Sequence, residues 1–132
     1  RPSAGLRERV LRVAAATPQN PQPGVFVIPA KGGEWKQTPY AGVEYKPLYE
    51  DPETSMRTVI LRLAAGARYP RHRHTQAEQC LVLKGDVRVA EGVEMGPGDF
   101  EWAEGGSEHD FVSTRNGCEL LIIASKHDEV LA

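Results

Sequence analysis

The stretch Gly66–Gly85, GARYPRHRHTQAEQCLVLKG, decides how this chain is read. His72 and His74 stand one residue apart, Glu78 follows four residues after His74, and a glycine closes each end. Side chains alternate faces along a strand, so His72 and His74 point the same way if the segment is extended. Glu78, at i+4 from His74, joins that face if the backbone stays regular. A neighbouring strand or turn then need supply only a fourth ligand. His109, which ends the second glycine-rich stretch GDFEWAEGGSEH (98–109), is the candidate. The expectation is one divalent metal held by His72, His74, Glu78 and His109 inside a small β-barrel. Neutral imidazole suits zinc, copper, iron and nickel, and a carboxylate alongside favours iron, manganese or zinc over copper(I).

Outward from this stretch the chain reads as short strands between turn signals. VFVIP (25–29) is a strand stopped by Pro29, and VEYKPLYE (43–50) is an extended run in which Pro47 marks an edge or a bulge. TSMRTVILRLA (54–64) puts Arg57, Val59, Leu61 and Leu63 on one face. VRVAEG (87–92) and VEMGPGD (93–99) read as a hairpin around Glu91-Gly92, and FEWAE (100–104) as a strand. HDFVST (109–114) and CELLIIAS (118–125) read as a last hairpin through Arg115-Asn116-Gly117, because Asn-Gly favours tight turns. Eight to ten strands at regular spacing, with no helix–strand alternation, predict an all-β sandwich or barrel.

The first segment differs in texture. SAGLRERVLRVAAA (3–16) has Leu6, Val10 and Val13 at helical spacing, so a short N-terminal helix is expected, ended by Thr17-Pro18. TPQNPQPG then reads as a proline-rich linker or extended arm. The expected organisation is helix and linker over residues 1–24 and barrel over 25–132. Residues 1–17 carry four arginines against Glu8, a docking segment for an acidic partner or simply a solvated helix face.

Composition bounds the rest. At 132 residues, with 40% hydrophobic and 26% charged content, the chain suits one globular domain. A net charge of −2 argues against direct nucleic-acid binding. No apolar run is long enough for a membrane span and no signal-peptide pattern opens the chain, so a cytoplasmic protein is expected. The opening residue is Arg1 rather than Met, which suggests a processed chain or an excised fragment. Cys80 and Cys118 are too few for a disulfide scaffold and match no zinc spacing. Cys80, at i+2 from Glu78, should face the interior, as a small buried hydrophobe or as a redox-sensitive thiol.

Gly66, His72, His74, Glu78 and Gly85 fit the first cupin motif, G-x5-H-x-H-x3-E-x6-G, at every fixed position. The second motif, G-x5-P-x-G-x2-H-x3-N, matches at Gly98, Gly106 and His109, with Glu104 in place of the proline and Ser113 in place of the asparagine. The resemblance implies a cupin double-stranded β-helix, or jelly-roll barrel, with the metal on its inner face. The runs GEWKQTPYAGVEYKPLYEDPET, TVILRLAAGARYPRHRHTQAEQCLVLKG and SEHDFVSTRNGCELLIIASKHDE resemble the cupin domain of ChrR-type anti-sigma factors. That likeness implies a signal-sensing regulatory domain, a sigma factor or anti-sigma domain as partner, and zinc as the first choice of metal, with iron, nickel or manganese behind it. Residues 1–24 hold no His or Cys and so cannot supply the zinc ligands of such an anti-sigma domain.

Two functional classes stand at this point. One is the regulatory metal-binding domain. The other is a metal-dependent dioxygenase acting on a small carbonyl or diketone compound, since cupin dioxygenases use the same ligands. The lack of an obvious general base beyond the ligands favours the first. Tyr69 and Trp102 flank the ligand stretches and are expected to line a pocket for a small molecule, with Phe100 and Phe111 in the barrel core. Glu101, Glu104, Glu108 and Asp110 form an acidic rim near His109, and His127 is expected on the surface. Cupins often pair through sheet edges, so a homodimer is expected, with the arm at 18–29 able to cross to the partner.

Overall fold

The computed structural model describes residues 18–131, and the chain divides into two compact units, residues 1–35 and 36–132. The helix expected over residues 3–16 lies outside the described residues. In the first unit β1 (Gln19–Gln22) and β2 (Val25–Val27) form an antiparallel hairpin where a linker was expected. Pro23 and Gly24 join them. Proline presets the first φ of a type II turn, and Gly24 supplies the positive second one, at 77°.

The second unit is all-β. Its strands are β3 (Lys36–Gln37), β4 (Val43–Glu50), β5 (Met56–Leu63), β6 (Arg68–Tyr69), β7 (His72–Arg73), β8 (Glu78–Gly85), β9 (Val87–Ala90), β10 (Val93–Met95), β11 (Phe100–Ala103), β12 (Glu108–His109), β13 (Val112–Ser113), β14 (Cys118–Ser125) and β15 (Glu129–Val130). They form a six-stranded sheet in the order β11-β8-β14-β5-β4-β3, a four-stranded sheet β10-β9-β13-β6 and a three-stranded sheet β12-β7-β15. The chain shuttles between them: β5 in the large sheet is followed by β6 and β7 in the other two, then β8 returns. This alternation is the winding of a jelly roll.

The core follows from strand parity. Val59, Leu61 and Leu63 are the buried positions of β5, as the alternation predicts. Leu120 and Cys118 on β14 stand opposite Leu61 and Leu63, and Val87, Val89 and Val112 close the core from the four-stranded sheet. Pro47 sits where the β4–β5 register shifts, the bulge expected of it. The β9–β10 hairpin also forms, with Gly92 at φ 73° in its turn.

The last hairpin does not form as expected. β13 pairs with β6 and β9, whereas β14 pairs with β5 and β8. The Asn116-Gly117 turn exists, but it carries the chain from one sheet to another. Its backbone is held by Asp86, whose carboxylate accepts from Arg115 N at 2.8 Å and Asn116 N at 2.9 Å. That side-chain anchor replaces the ladder a hairpin would have provided.

Gly85 and Gly66, the two ends of the deciding stretch, have different reasons to be glycine. Both have positive φ, at 81° and 80°. A Cβ on Gly85 would also run into the carbonyl oxygen of Gly117, while one on Gly66 would meet nothing within 4 Å. Gly85→Ala is therefore expected to cost about 3 kcal/mol or more, and Gly66→Ala only about 1 kcal/mol for its φ alone. Urea denaturation of both variants checks this, and equal losses would contradict the packing account of Gly85.

Candidate metal centre

Two short strands and a loop clamp build the site. On β7, His72 is the cross-strand partner of His109 on β12 and of Val130 on β15. The His72 and His109 rings stack, with centroids 5.2 Å apart and planes 11° from parallel. His74 lies one residue beyond β7. Its N–H donates to Ser107 O at 2.8 Å, and Gly106 N–H donates to His74 O at 2.7 Å, which locks the loop carrying His74 to the loop before β12. Glu78 is the first residue of β8. The premise of a regular strand through Glu78 therefore fails. Residues 75–76 bend, the chain changes sheets, and Glu78 reaches the histidines from the six-stranded sheet rather than along their own strand.

The convergence is tight. One ligand atom from each of His72, His74 and Glu78 can be chosen so that all lie within 4.8 Å of one another. Glu78 Oε2 is 2.8 Å from His74 Nε2 and 3.9 Å from His72 Nε2. All three residues are buried, His74 completely, at 0% exposure.

The other ring nitrogens fix the tautomers. His72 Nδ1 is 3.0 Å from Pro70 O, an acceptor only, so Nδ1 carries the proton and Nε2 the lone pair of the neutral ring. Ser107 Oγ donates to Glu104 O, and therefore accepts from His74 Nδ1 at 3.0 Å. His74 Nε2 is then also a lone-pair nitrogen in the neutral ring. It makes no well-formed hydrogen bond although fully buried. Two buried acceptors, a carboxylate oxygen and an imidazole nitrogen, face each other at 2.8 Å. A proton or a metal cation between them removes the conflict. Two imidazoles with outer nitrogens held by protein oxygens, and one carboxylate, fit a divalent cation of the zinc, iron or manganese type.

His109 stands beside this triad. Its ring also packs against His74, with centroids 5.6 Å apart. Its Nδ1 donates to Asp110 O at 3.2 Å, and its Nε2 faces the Glu101 carboxylate at 3.2 and 3.3 Å. Glu101 is thus part of the site's immediate surroundings rather than of an outer acidic rim. It follows from strand parity: Glu101 is the cross-strand partner of Cys80 and takes the interior side of β11. Phe100 and Trp102 take the other side and are 51% and 70% exposed, so neither the core role expected of Phe100 nor the pocket role expected of Trp102 is met. Phe111, 41% exposed, lies under the guanidinium of Arg68 instead of in the core. Tyr69 does line the cavity, edge-on to His72, and His127 is exposed as expected.

Charges follow the same geometry. Burial pushes the Glu78 carboxyl up, but the two histidines beside it outweigh this and hold it at about 2. Contact with Glu78 raises His74 above its ordinary value against the opposing effect of burial, and contact with Glu101 does the same for His109. Burial pushes the Cys80 thiol up to about 12 and raises Cys118 as well. Both are buried, and burial disfavours the thiolate at each. A cavity of about 320 Å³ adjoins the cluster, bounded on that side by His72, Glu78, Glu101 and His109.

A jelly-roll barrel with buried histidines and a glutamate converging on its inner face defines the cupin class. The ChrR cupin-like domain family matches residues 24–129, and the chain belongs to that family. The chain is similar to one in the Rhodobacter sphaeroides complex of SigE with the anti-sigma ChrR, at 26% identity and a TM-score of 0.62, over 74% of this chain and 51% of that one. It thus spans about half of that protein. An acetylacetone dioxygenase from Acinetobacter johnsonii shares the fold at 16% identity and a TM-score of 0.72, over 86% and 81% of the two chains. An RmlC-like cupin from Ralstonia eutropha does so at 19% identity and a TM-score of 0.64, over 80% and 75%. No curated protein matches.

Two outcomes are expected. Ser107→Ala removes the acceptor that sets the His74 tautomer and should weaken metal binding about 10- to 100-fold, read by competition with a chelator. Unchanged affinity would contradict the tautomer argument. The second concerns pH. Raised His74 and His109 stabilise the metal-free fold in acid, and this contribution fades as pH rises through their raised values. Metal needs the unprotonated rings. The Tm difference between metal-loaded and chelated protein should therefore widen from about pH 6 to about pH 8.

Proposed function

We propose that this chain is a regulatory metal-binding cupin domain that holds one divalent cation, zinc first, through His72, His74, Glu78 and His109. It would pass a chemical signal to a sigma-factor complex. The observation that carries this reading is the match to the ChrR cupin-like family across residues 24–129, which contains the whole ligand set. His109, whose Nε2 lies against the Glu101 carboxylate beside the triad, would be the fourth residue to hold the cation. When bound, the cation supplies a cross-link between β7, β12 and β8, strands of two different sheets. Its loss leaves the His74–Glu78 conflict exposed and loosens the loops that Ser107 and Gly106 clamp. On this reading the segment that precedes the barrel joins it to a sigma-binding domain, and the protein works in the cytoplasm as a homodimer. The cavity beside the cluster also supports a second reading, a dioxygenase for a small carbonyl or diketone compound.

Elemental analysis of protein purified without added metal separates the two. About one zinc per chain is expected, lost in His72→Ala, His74→Ala, with the metal-free form less stable and altered in affinity for a sigma-factor complex. Iron, nickel or manganese together with oxygen uptake on small diketones would overturn the regulatory reading. Equal stability and equal partner affinity with and without metal would overturn it as well.

A further inference from the structure

Arg57 is a charged side chain in the cavity wall that the metal site does not use. It occupies the end of the apolar face of β5, after Leu63, Leu61 and Val59. Among the described residues it has no carboxylate partner. Glu50 is its cross-strand partner on β4, but the Glu50 carboxylate takes Lys126 Nζ at 3.2 Å. The guanidinium is held instead over the Tyr45 ring, 5.3 Å from its centroid. The other acids on the cavity wall are committed elsewhere. Glu78 and Glu101 face His74 and His109, and Asp128 accepts from Thr75 N and Oγ1 at 3.0 and 3.2 Å.

Register places this arginine opposite the metal cluster. Ala124 on β14 is the cross-strand partner of Arg57, and the pairing of β14 with β8, Ile122 to Cys80 and Ile123 to Gln79, leads on to Glu78. Arg57, Ala124 and Glu78 thus lie in one row and all line the cavity. Arg57 and Glu78 are two strand spacings apart, about 10 Å between backbones. Ala124 is the residue between them in that row. Val59, Leu120 and Ile122 form an apolar wall alongside. An unpaired guanidinium at one end, an apolar wall and a metal cluster at the other make a two-ended site. The volume of about 320 Å³ suits a small molecule.

We propose that the cavity binds a small organic monocarboxylate. Arg57 grips the carboxylate with its two-pronged N–H fork, the apolar body lies along Val59, Leu120 and Ile122, and a second oxygen function faces the His72–His74–Glu78 cluster. This deepens the reading of the site as a signal-sensing metal centre and rests on it only for the far end of the ligand. The carboxylate end stands on Arg57 alone.

Calorimetric titration of zinc-loaded protein with 4-methyl-2-oxopentanoate and with its neutral methyl ester tests this, with metal content measured in every sample. The acid is expected to bind at least about 10-fold more tightly than the ester, since a charge-assisted bidentate pair is lost in the ester. Arg57→Gln should remove that preference, changing ester affinity by less than about 3-fold, and Arg57→Lys should restore part of it. Ala124→Leu fills the row and should exclude both ligands while melting cooperatively. Failure of the acid to bind, equal binding of acid and ester, or a preference that survives in Arg57→Gln overturns the proposal. If such a result comes with one zinc per chain, the metal-centre reading stands and this inference alone fails. If no metal is bound but the Arg57-dependent preference persists, the reverse holds.

Discussion

The contact between His74 Nε2 and Glu78 Oε2 is the constraint on which the site depends. Both are acceptors in their ordinary states, both are buried, and they face each other at 2.8 Å. A buried polar atom without a partner costs about 1–3 kcal/mol, so a protein does not assemble such a pair without something positive between them. Protonation of His74 is one answer and a divalent cation is the other. Much of the surrounding architecture serves to hold this pair in place. The backbone clamp from Ser107 and Gly106 fixes His74, and Gly85 lets β8 end beside the β13–β14 turn.

The constraint also explains why the site spans sheets. Ligands taken from one strand would be held by one ladder and would move with it. Here His72 belongs to the three-stranded sheet and Glu78 to the six-stranded one, while His74 is fixed by a loop. Occupancy of the site therefore bears on how the sheets are joined, which gives a binding event a structural consequence. The tail adds to this. Val130 pairs with His72, and Asp128 holds Thr75, so the end of the barrel is laid across the ligand strand.

The barrel and the meeting of His72, His74 and Glu78 were legible in the sequence because strand parity and motif spacing are local properties. Val59, Leu61 and Leu63 announced a buried face, and the five fixed residues from Gly66 to Gly85 announced the cluster. What was not legible depended on partners far along the chain. The Asn116-Gly117 turn looked like a hairpin because its anchor, Asp86, lies about thirty residues earlier. Phe100 and Trp102 looked interior because they are aromatic, yet β11 puts Glu101 inward, and only its pairing with Cys80 reveals that parity. The strand through Glu78 was expected to run straight, and the two-residue bend that sends it to another sheet carries no strong local signal. The pairing of the tail with His72 was equally invisible, since β15 is only two residues long.

These particulars bear on function in one way. The proposed regulatory role rests on the family relation, and the largely apolar cavity beside the cluster leaves room for a small molecule there. X-ray absorption at the metal edge of the natively loaded protein tests the central claim most directly. The account predicts three imidazole nitrogens and a carboxylate oxygen around a single metal, with the imidazole count falling to two in His109→Ala. A sulfur neighbour from Cys80, or an imidazole count that His109→Ala leaves unchanged, would contradict it.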